Sequence, residues 1–331
     1  TLDSLLRGTP GRVGAVRDVD GHAARSPQLG RVEPREGSAV VLTIRLGLQD
    51  IAERALADAV ERSGASGGDI VVLDPQSGDL LALASRRRDT LATTATALTE
   101  PIEPGSTLKP FVAAALLDRG RVPLDRTFPT HNGVFTFAGR TVKDVHRAAS
   151  MTFTEVIQQS SNIGMILAAE ALTPQEHYEA LRDFGFGVTT GIPFPSEAPG
   201  TFRSPARWSK QSKASLSMGY EIMVTPVQLA AAYGAIANDG VLMQPQLIKE
   251  IRSADGQVLR RATPRPVRRV ISSGTASTMR RLLRTVVDSG TGSRADLATY
   301  GVGGKSGTAQ RTVNGRYVQG EYNANFVGLF P

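Results

Sequence analysis

The sequence predicts an α+β fold in which an antiparallel sheet is flanked by helices. The prediction rests on two observations. Residues 70–74 and 80–84 are near-continuous apolar runs on either side of Pro75-Gln76-Ser77-Gly78, the pattern of a hairpin covered on both faces. A second strand pair, 302–310 and 325–330, closes the chain, and most of what lies between the two pairs has helical patterning.

Residues 1–38 are rich in Gly, Arg and Pro and read as an extended linker or a piece of a larger module, without a core. Residues 40–44 read as a short strand. Residues 48–62 read as an amphipathic helix with Ile51, Ala55, Leu56 and Val60 on one face, ended by the glycines of 64–68. A polar stretch, 85–99, leads to Glu103-Pro104-Gly105-Ser106-Thr107-Leu108-Lys109-Pro110-Phe111. There Pro104 and Gly105 break the preceding segment and good helix formers follow. Helices are expected over 155–159, 163–172 and 174–184, with Ser160-Ser161-Asn162 between the first two and a Gly/Pro-rich loop over 185–205. Thr225 and Pro226 are the N-cap and first residue of a helix through Ala237, closed by Asn238-Asp239-Gly240. A further helix covers 272–287, and Asn314-Gly315 marks the turn of the last hairpin.

The 331 residues leave room for about two domains or one large one, so no disulfide or metal staple is needed. The absence of cysteine excludes a disulfide framework and thiolate chemistry. No apolar run is long enough to span a membrane. Thr1 is not an initiator methionine, and the expectation is an excised fragment with any targeting segment upstream. The net charge of +7 permits attraction to anionic partners, but aromatics are only 5% and no nucleic-acid reader motif accompanies the charge. The clusters Arg86-Arg87-Arg88 and Arg265-Pro266-Val267-Arg268-Arg269 therefore read as solvated surface, with no nucleic-acid partner. His22, His131, His146 and His177 fall in no metal-ligand pattern, and no metal or cofactor is expected.

Among 38 basic residues only six are lysine, which makes Lys109 and Lys305 worth weighing, since lysine can be deprotonated and arginine cannot. Ser106 and Lys109 are three residues apart at a helix start, so hydroxyl and amine share a face. A serine hydroxyl needs a base to become a nucleophile, and a lysine can be that base if burial or another cation lowers its pKa. Ser106 alone reads equally well as a helix cap. Its company decides the matter. Ser106-Thr107-Leu108-Lys109 is the only S-x-x-K, Ser160-Ser161-Asn162 the only S-x-N, and Lys305-Ser306-Gly307 the only K-[ST]-G. They occur in that order, at a helix start, an interhelix turn and a glycine-rich strand.

On these motifs the chain resembles the class B penicillin-binding proteins, specifically the FtsI-like division transpeptidases. Other family-like stretches are Phe184-Gly185-Phe186-Gly187, Ser217-Met218-Gly219-Tyr220, Val224-Thr225-Pro226 and Gly304-Lys305-Ser306-Gly307-Thr308-Ala309-Gln310. The resemblance implies an α/β/α sandwich with an all-helical lobe. Residues 1–38 would end an N-terminal pedestal, and 39–331 would be a transpeptidase domain lacking its last strand and C-terminal helix. It implies a peptidoglycan D,D-transpeptidase that forms an acyl-enzyme on Ser106 and is acylated there by β-lactams.

In that scheme Lys109 takes the serine proton, Lys305 lowers the Lys109 pKa and attracts a substrate carboxylate, and Ser160 relays a proton to the leaving amine. Asn162 orients Lys109 and binds a substrate amide, the backbone N–H groups of Ser106 and Thr308 form the oxyanion hole, and Ser306 and Thr308 hydroxyls hold the carboxylate. Gly307 lets its strand approach the ligand, and Tyr220 is a cleft-side contact. The implied location is the outer face of the cytoplasmic membrane, with an upstream anchor and a membrane glycosyltransferase among the division or elongation partners. The alternatives are a hydrolytic β-lactamase or D,D-carboxypeptidase and a non-catalytic sensor or scaffold. Against the first, no Glu-x-x-x-Asn lies between the second and third motifs, the sole match being Glu321 with Asn325.

Overall fold

The computed structural model describes residues 2–17, 19–25, 30–88, 95–313 and 316–330. Before residue 39 it contains a short helix, Asp3–Leu6, and two small ladders, and residues 2–17, 19–23 and 30–38 are none of them buried.

β1 (Ala39–Leu42) leads into α1 (Leu46–Ser63), which lies on the hairpin of β2 (Gly67–Leu73) and β3 (Leu80–Arg87). The buried face of α1 is Ala52, Leu56 and Val60, set against Ala82 and Ala84. This corrects the expected face, since Ile51 is 57% exposed and Ala55 is exposed as well. The helix is rotated so that Leu56 fills the space over Gly68, where a Cβ would come within 2.9 Å of the Leu56 side chain. On the other face of the hairpin, Leu80 with Val71, Leu73 and Leu83 meets Leu98 and Val227, so both faces are covered as expected.

The chain then enters a largely helical region around α2 (Lys109–Asp118), whose residues from Lys109 to Leu116 are all buried. A helix apolar all round belongs inside a core. Phe111 holds it there, with ring centroids 4.8 Å from Phe184, 5.1 Å from Phe186 and 5.0 Å from Tyr233. A small hairpin, β4 (Val134–Phe137) and β5 (Arg140–Lys143), precedes α3 (Phe153–Gln158), α4 (Asn162–Ala169) and α5 (Pro174–Asp183). α6 (Pro226–Ala237) starts as its sequence predicts, with Thr225 capping Gln228 N–H and Gln228 reciprocating.

β6 (Ile248–Arg252) lies between β1 and β7 (Val258–Arg261) in an antiparallel ladder. α7 (Ser273–Ser289), capped by Ser272, buries Ala276, Met279, Leu282, Leu283, Val286 and Val287 at helical spacing. It packs on β8 (Gly303–Val313), which pairs with β9 (Arg316–Leu329). The return strand is 14 residues long, reaching well upstream of the expected 325–330 segment. The expected Asn314-Gly315 turn lies outside the described residues. Among those residues the β2–β3 and β8–β9 hairpins form separate two-stranded ladders, and no described strand is bonded to both. No described helix is long and apolar enough to cross a membrane.

Candidate active site

Ser106 sits in a 3-10 turn, Gly105–Leu108, that runs straight into α2. Three neighbours fix the turn. Gly105 N–H donates to Gly219 O at 3.1 Å, and the two glycines are so close that a Cβ on Gly219 would lie 1.9 Å from Gly105 O. Both have positive φ, 55° and 87°, a region open to glycine. Tyr233 of α6 donates its hydroxyl to Thr107 O at 2.8 Å. On the third side runs β8, whose Thr308 carbonyl would be 3.1 Å from a Cβ on Gly105. Ser106 is partly exposed while Lys109 is buried at 0%.

The second motif forms the opposite wall. Ser160 has φ 57°, a backbone state that costs a non-glycine residue about 1–3 kcal/mol. The following turn is clamped from β5's end by Asp144, which accepts bonds from Ser161 Oγ at 2.5 Å, Asn162 N–H at 2.6 Å and Ile163 N–H at 3.1 Å. Ser161 Oγ in turn accepts the Gly164 N–H and caps α4. Asn162 Nδ2 donates to Lys143 O at 3.0 Å.

Lys109 Nζ reaches across to this wall, donating to Ser160 O at 2.5 Å and Asn162 Oδ1 at 2.8 Å, with Ser160 Oγ at 3.3 Å. Lys305 Nζ comes from β8 to the same hydroxyl, at 2.8 Å from Ser160 Oγ, and also donates to Ser306 O at 2.9 Å. The structure thus brings Lys109, Ser160, Asn162 and Lys305 into one network beside Ser106. It contains no hydrogen bond between Lys109 Nζ and Ser106 Oγ, the pair that the sequence spacing puts on one face.

Burial is the main cause that pushes the Lys109 pKa well below the usual lysine range; neighbouring Lys305 lowers it further and Asp144 partly opposes both. Burial alone lowers Lys305 to about 7. A neutral lysine amine has two N–H donors and one lone pair. Ser160 O and Asn162 Oδ1 engage two donors, which leaves the lone pair of a neutral Lys109 over, with Ser160 Oγ the nearest hydroxyl it contacts, at 3.3 Å.

On β8, Lys305, Gly307 and Ala309 are buried, whereas Ser306 is half-buried and Thr308 exposed. The two hydroxyl residues therefore face outward, and Ser306 Oγ bonds Thr291 Oγ1 at 3.1 Å. The close approach that Gly307 permits is to protein: a Cβ there would lie 2.3 Å from Asn325 Oδ1 and 2.7 Å from Pro104 O. Tyr220 is half-buried, edge-on to Tyr317 with centroids 6.0 Å apart and with the Arg140 guanidinium 5.9 Å from its ring centre.

Sequence reasoning missed Asp144 and Thr291. Asp144 acts on Asn162 across 18 residues of chain, and Thr291 on Ser306 across 15; neither spacing belongs to a helix face or a turn. Among the described residues no group of His, Asp or Glu could hold a metal ion.

This layout, with three ordered motifs converging between a helical region and a hairpin, is that of the β-lactamase and transpeptidase superfamily. The chain belongs to the penicillin-binding protein transpeptidase family, whose domain matches residues 68–331. It is 34% identical over 352 residues to penicillin-binding protein PbpB of Mycobacterium tuberculosis, covering 99% of this chain and 51% of that protein. It is 32% identical over 342 residues to the probable peptidoglycan D,D-transpeptidase PenA of Neisseria meningitidis, covering 100% and 57%. The chain therefore spans little more than half the length of these relatives. Its fold matches the crystal structure of penicillin-binding protein 3 from Mycobacterium tuberculosis in complex with aztreonam, with a TM-score of 0.83 and 32% identity over 98% of this chain and 79% of that one. The transpeptidase domain of penicillin-binding protein 3 from Burkholderia pseudomallei matches with a TM-score of 0.77 and 36% identity, over 87% of this chain and 82% of that domain.

Proposed function

We propose that this chain carries the D,D-transpeptidase activity of a peptidoglycan cross-linking enzyme, with Ser106 as nucleophile and Lys109 as its base. The observation that supports it most directly is the setting of Lys109: the amine is buried beside Lys305, its pKa is pushed well down, and Ser160 O and Asn162 Oδ1 accept from it, which suits a neutral amine acting as proton acceptor. Ser106 Oγ attacks the carbonyl of a D-Ala–D-Ala bond and its proton passes to Lys109. The oxyanion is held by the N–H groups of Ser106 and Thr308. As the C–N bond breaks, Ser160 gives its proton to the departing D-Ala amine and recovers one from Lys109. The acyl-enzyme ester is then attacked by an amine of a neighbouring strand, whose proton passes through Ser160 and Lys109 to Ser106 Oγ as the C–O bond breaks. Lys305, as the cation, and the Ser306 and Thr308 hydroxyls hold the terminal carboxylate; Asn162 and Tyr220 line the donor site, and the Gly307 backbone runs beside it.

β-Lactams would acylate the same serine. Residues 1–38 are the end of a pedestal and 39–331 the catalytic domain of a protein anchored upstream in the cytoplasmic membrane. That protein works on the outer face beside a glycosyltransferase of the division or elongation machinery. Intact mass after incubation with a penicillin tests the reading. One adduct is expected on the native chain and none on Ser106→Ala; a persisting adduct on that variant names the wrong nucleophile. With a chromogenic β-lactam a single burst is expected, and steady turnover would establish the hydrolytic alternative.

A further inference from the structure

Three residues before Ser106 lies a carboxylate that the reaction above does not use. Glu103 is 6% exposed. Its Oε1 accepts the Glu221 N–H at 2.8 Å and the Tyr317 hydroxyl at 3.2 Å, and its Oε2 accepts the Thr312 hydroxyl at 3.4 Å. These donors come from two separate parts of the fold. Glu221, at φ 62°, lies two residues after Gly219, the residue seated against Gly105. Thr312 and Tyr317 are cross-strand partners on the β8–β9 hairpin.

The place on the hairpin matters. From Gly303↔Leu329 to Gln310↔Tyr322 the register is regular; it then shifts, and pairing resumes at Thr312↔Tyr317. A bulge of this kind disrupts the ladder and re-aims the strand beyond it. Backbone pairing alone therefore fixes the far end of the hairpin weakly. Both hydroxyls of the first pair beyond the shift donate to one carboxylate, rooted in the turn that carries Ser106. Thr308, which supplies one of the two oxyanion donors in the reading above, lies between the Lys305 anchor and this tie.

We propose that Glu103 is a positioning residue for the oxyanion hole, locking the β8–β9 hairpin to the Ser106 turn so that the Thr308 N–H is held at a fixed distance from the reacting carbonyl. Glu103 touches neither substrate nor reacting atoms. The proposal rests on the acyl-enzyme reading of the site. Oxyanion donors act where charge develops in the transition state, so loosening the tie slows the acylation step and leaves non-covalent ligand binding nearly unchanged. A misplacement of about 1 Å in such a group costs on the order of 100-fold in rate.

The test is stopped-flow acylation by a chromogenic cephalosporin over a concentration series, which separates the first-order acylation constant from the dissociation constant of the preceding complex. Thr312→Val/Tyr317→Phe removes the two hairpin hydroxyls and keeps Glu103, its Glu221 bond and the Tyr220 ring contact. The acylation constant is expected to fall about 10- to 100-fold with the dissociation constant within about threefold of the native value. Glu103→Ala should fall as far or further, and Glu103→Gln, which keeps an acceptor oxygen, should recover most of the rate. A native acylation constant in the double variant, or a loss confined to the dissociation constant, overturns the proposal. If the native chain itself is not acylated at Ser106, it is the functional reading that fails.

Discussion

Lys305→Met exchanges a buried amine for an apolar side chain of similar length, and it should stabilise the fold while disabling the site. Lys305 is fully buried and titrates near 7 instead of the ordinary 10.5. Its folded pKa is depressed, so above 10.5 the amine is neutral in both states and carries no penalty. As pH falls from 10.5 to about 7 the unfolded chain takes up a proton that the folded chain does not, and stability is lost across that window. At about 1.4 kcal/mol per unit, the penalty is about 4 kcal/mol at pH 7 and about 2 kcal/mol at pH 9.

Against it stand the bonds to Ser160 Oγ and Ser306 O, together worth about 2 kcal/mol. Lys305→Met should therefore be the more stable chain at pH 7 by about 2 kcal/mol, with the advantage gone near pH 9. Urea denaturation of both chains at the two pH values measures this. An advantage that does not change between pH 7 and 9 would refute the claim that the buried amine is the cause. On the proposed reading Lys305 holds the substrate carboxylate, so acylation of the variant should fall by at least about 100-fold.

Two more substitutions separate the roles of the groups around Lys109. Lys109→Arg keeps a charge and should abolish acylation by a fluorescent penicillin, since arginine cannot give up a proton to serve as base; native labelling would remove Lys109 from the proton path. Asp144→Asn removes the one charge that raises the Lys109 pKa. It keeps an acceptor for the Asn162 and Ile163 N–H groups. The acid limb of the acylation rate, where Lys109 takes up its proton, should move to lower pH, with a maximum lowered up to about tenfold through the weakened Ser161 contact. A limb that stays in place or moves upward contradicts the electrostatic role of Asp144.

Local chemistry was legible in the sequence wherever it acts through neighbours. Thr225, Pro226 and Gln228 announce α6, and Ser272 announces α7, because a cap is a bond between residues three apart. The β2–β3 hairpin is written in its apolar runs and its Pro/Gly turn. The orientation of α1 was not, because Ile51 and Ala52 both fit a helical stripe. The choice between them is made by Gly68 and the alanines of β3, residues the helix meets only after folding.

The same division runs through the site. Ser106, Lys109, Ser160, Asn162 and Lys305 are recognisable because each sits in a short motif whose spacing is itself chemical. What brings them into register is not. Asp144, Thr291, Tyr233 and Glu103 each join segments distant in the chain, by hydrogen bonds that have no sequence period. The expected Ser106–Lys109 pair shows the consequence. Spacing puts the two on one face, yet the amine turns to Ser160 O and Asn162 Oδ1, because a buried amine must place its N–H groups on acceptors and the second motif supplies two. That competition fixes where the lone pair of a neutral amine is left over, which the proposed proton path between the two serines uses. The sequence motifs thus mark the groups proposed to react, while the polar ties between distant segments set where those groups stand.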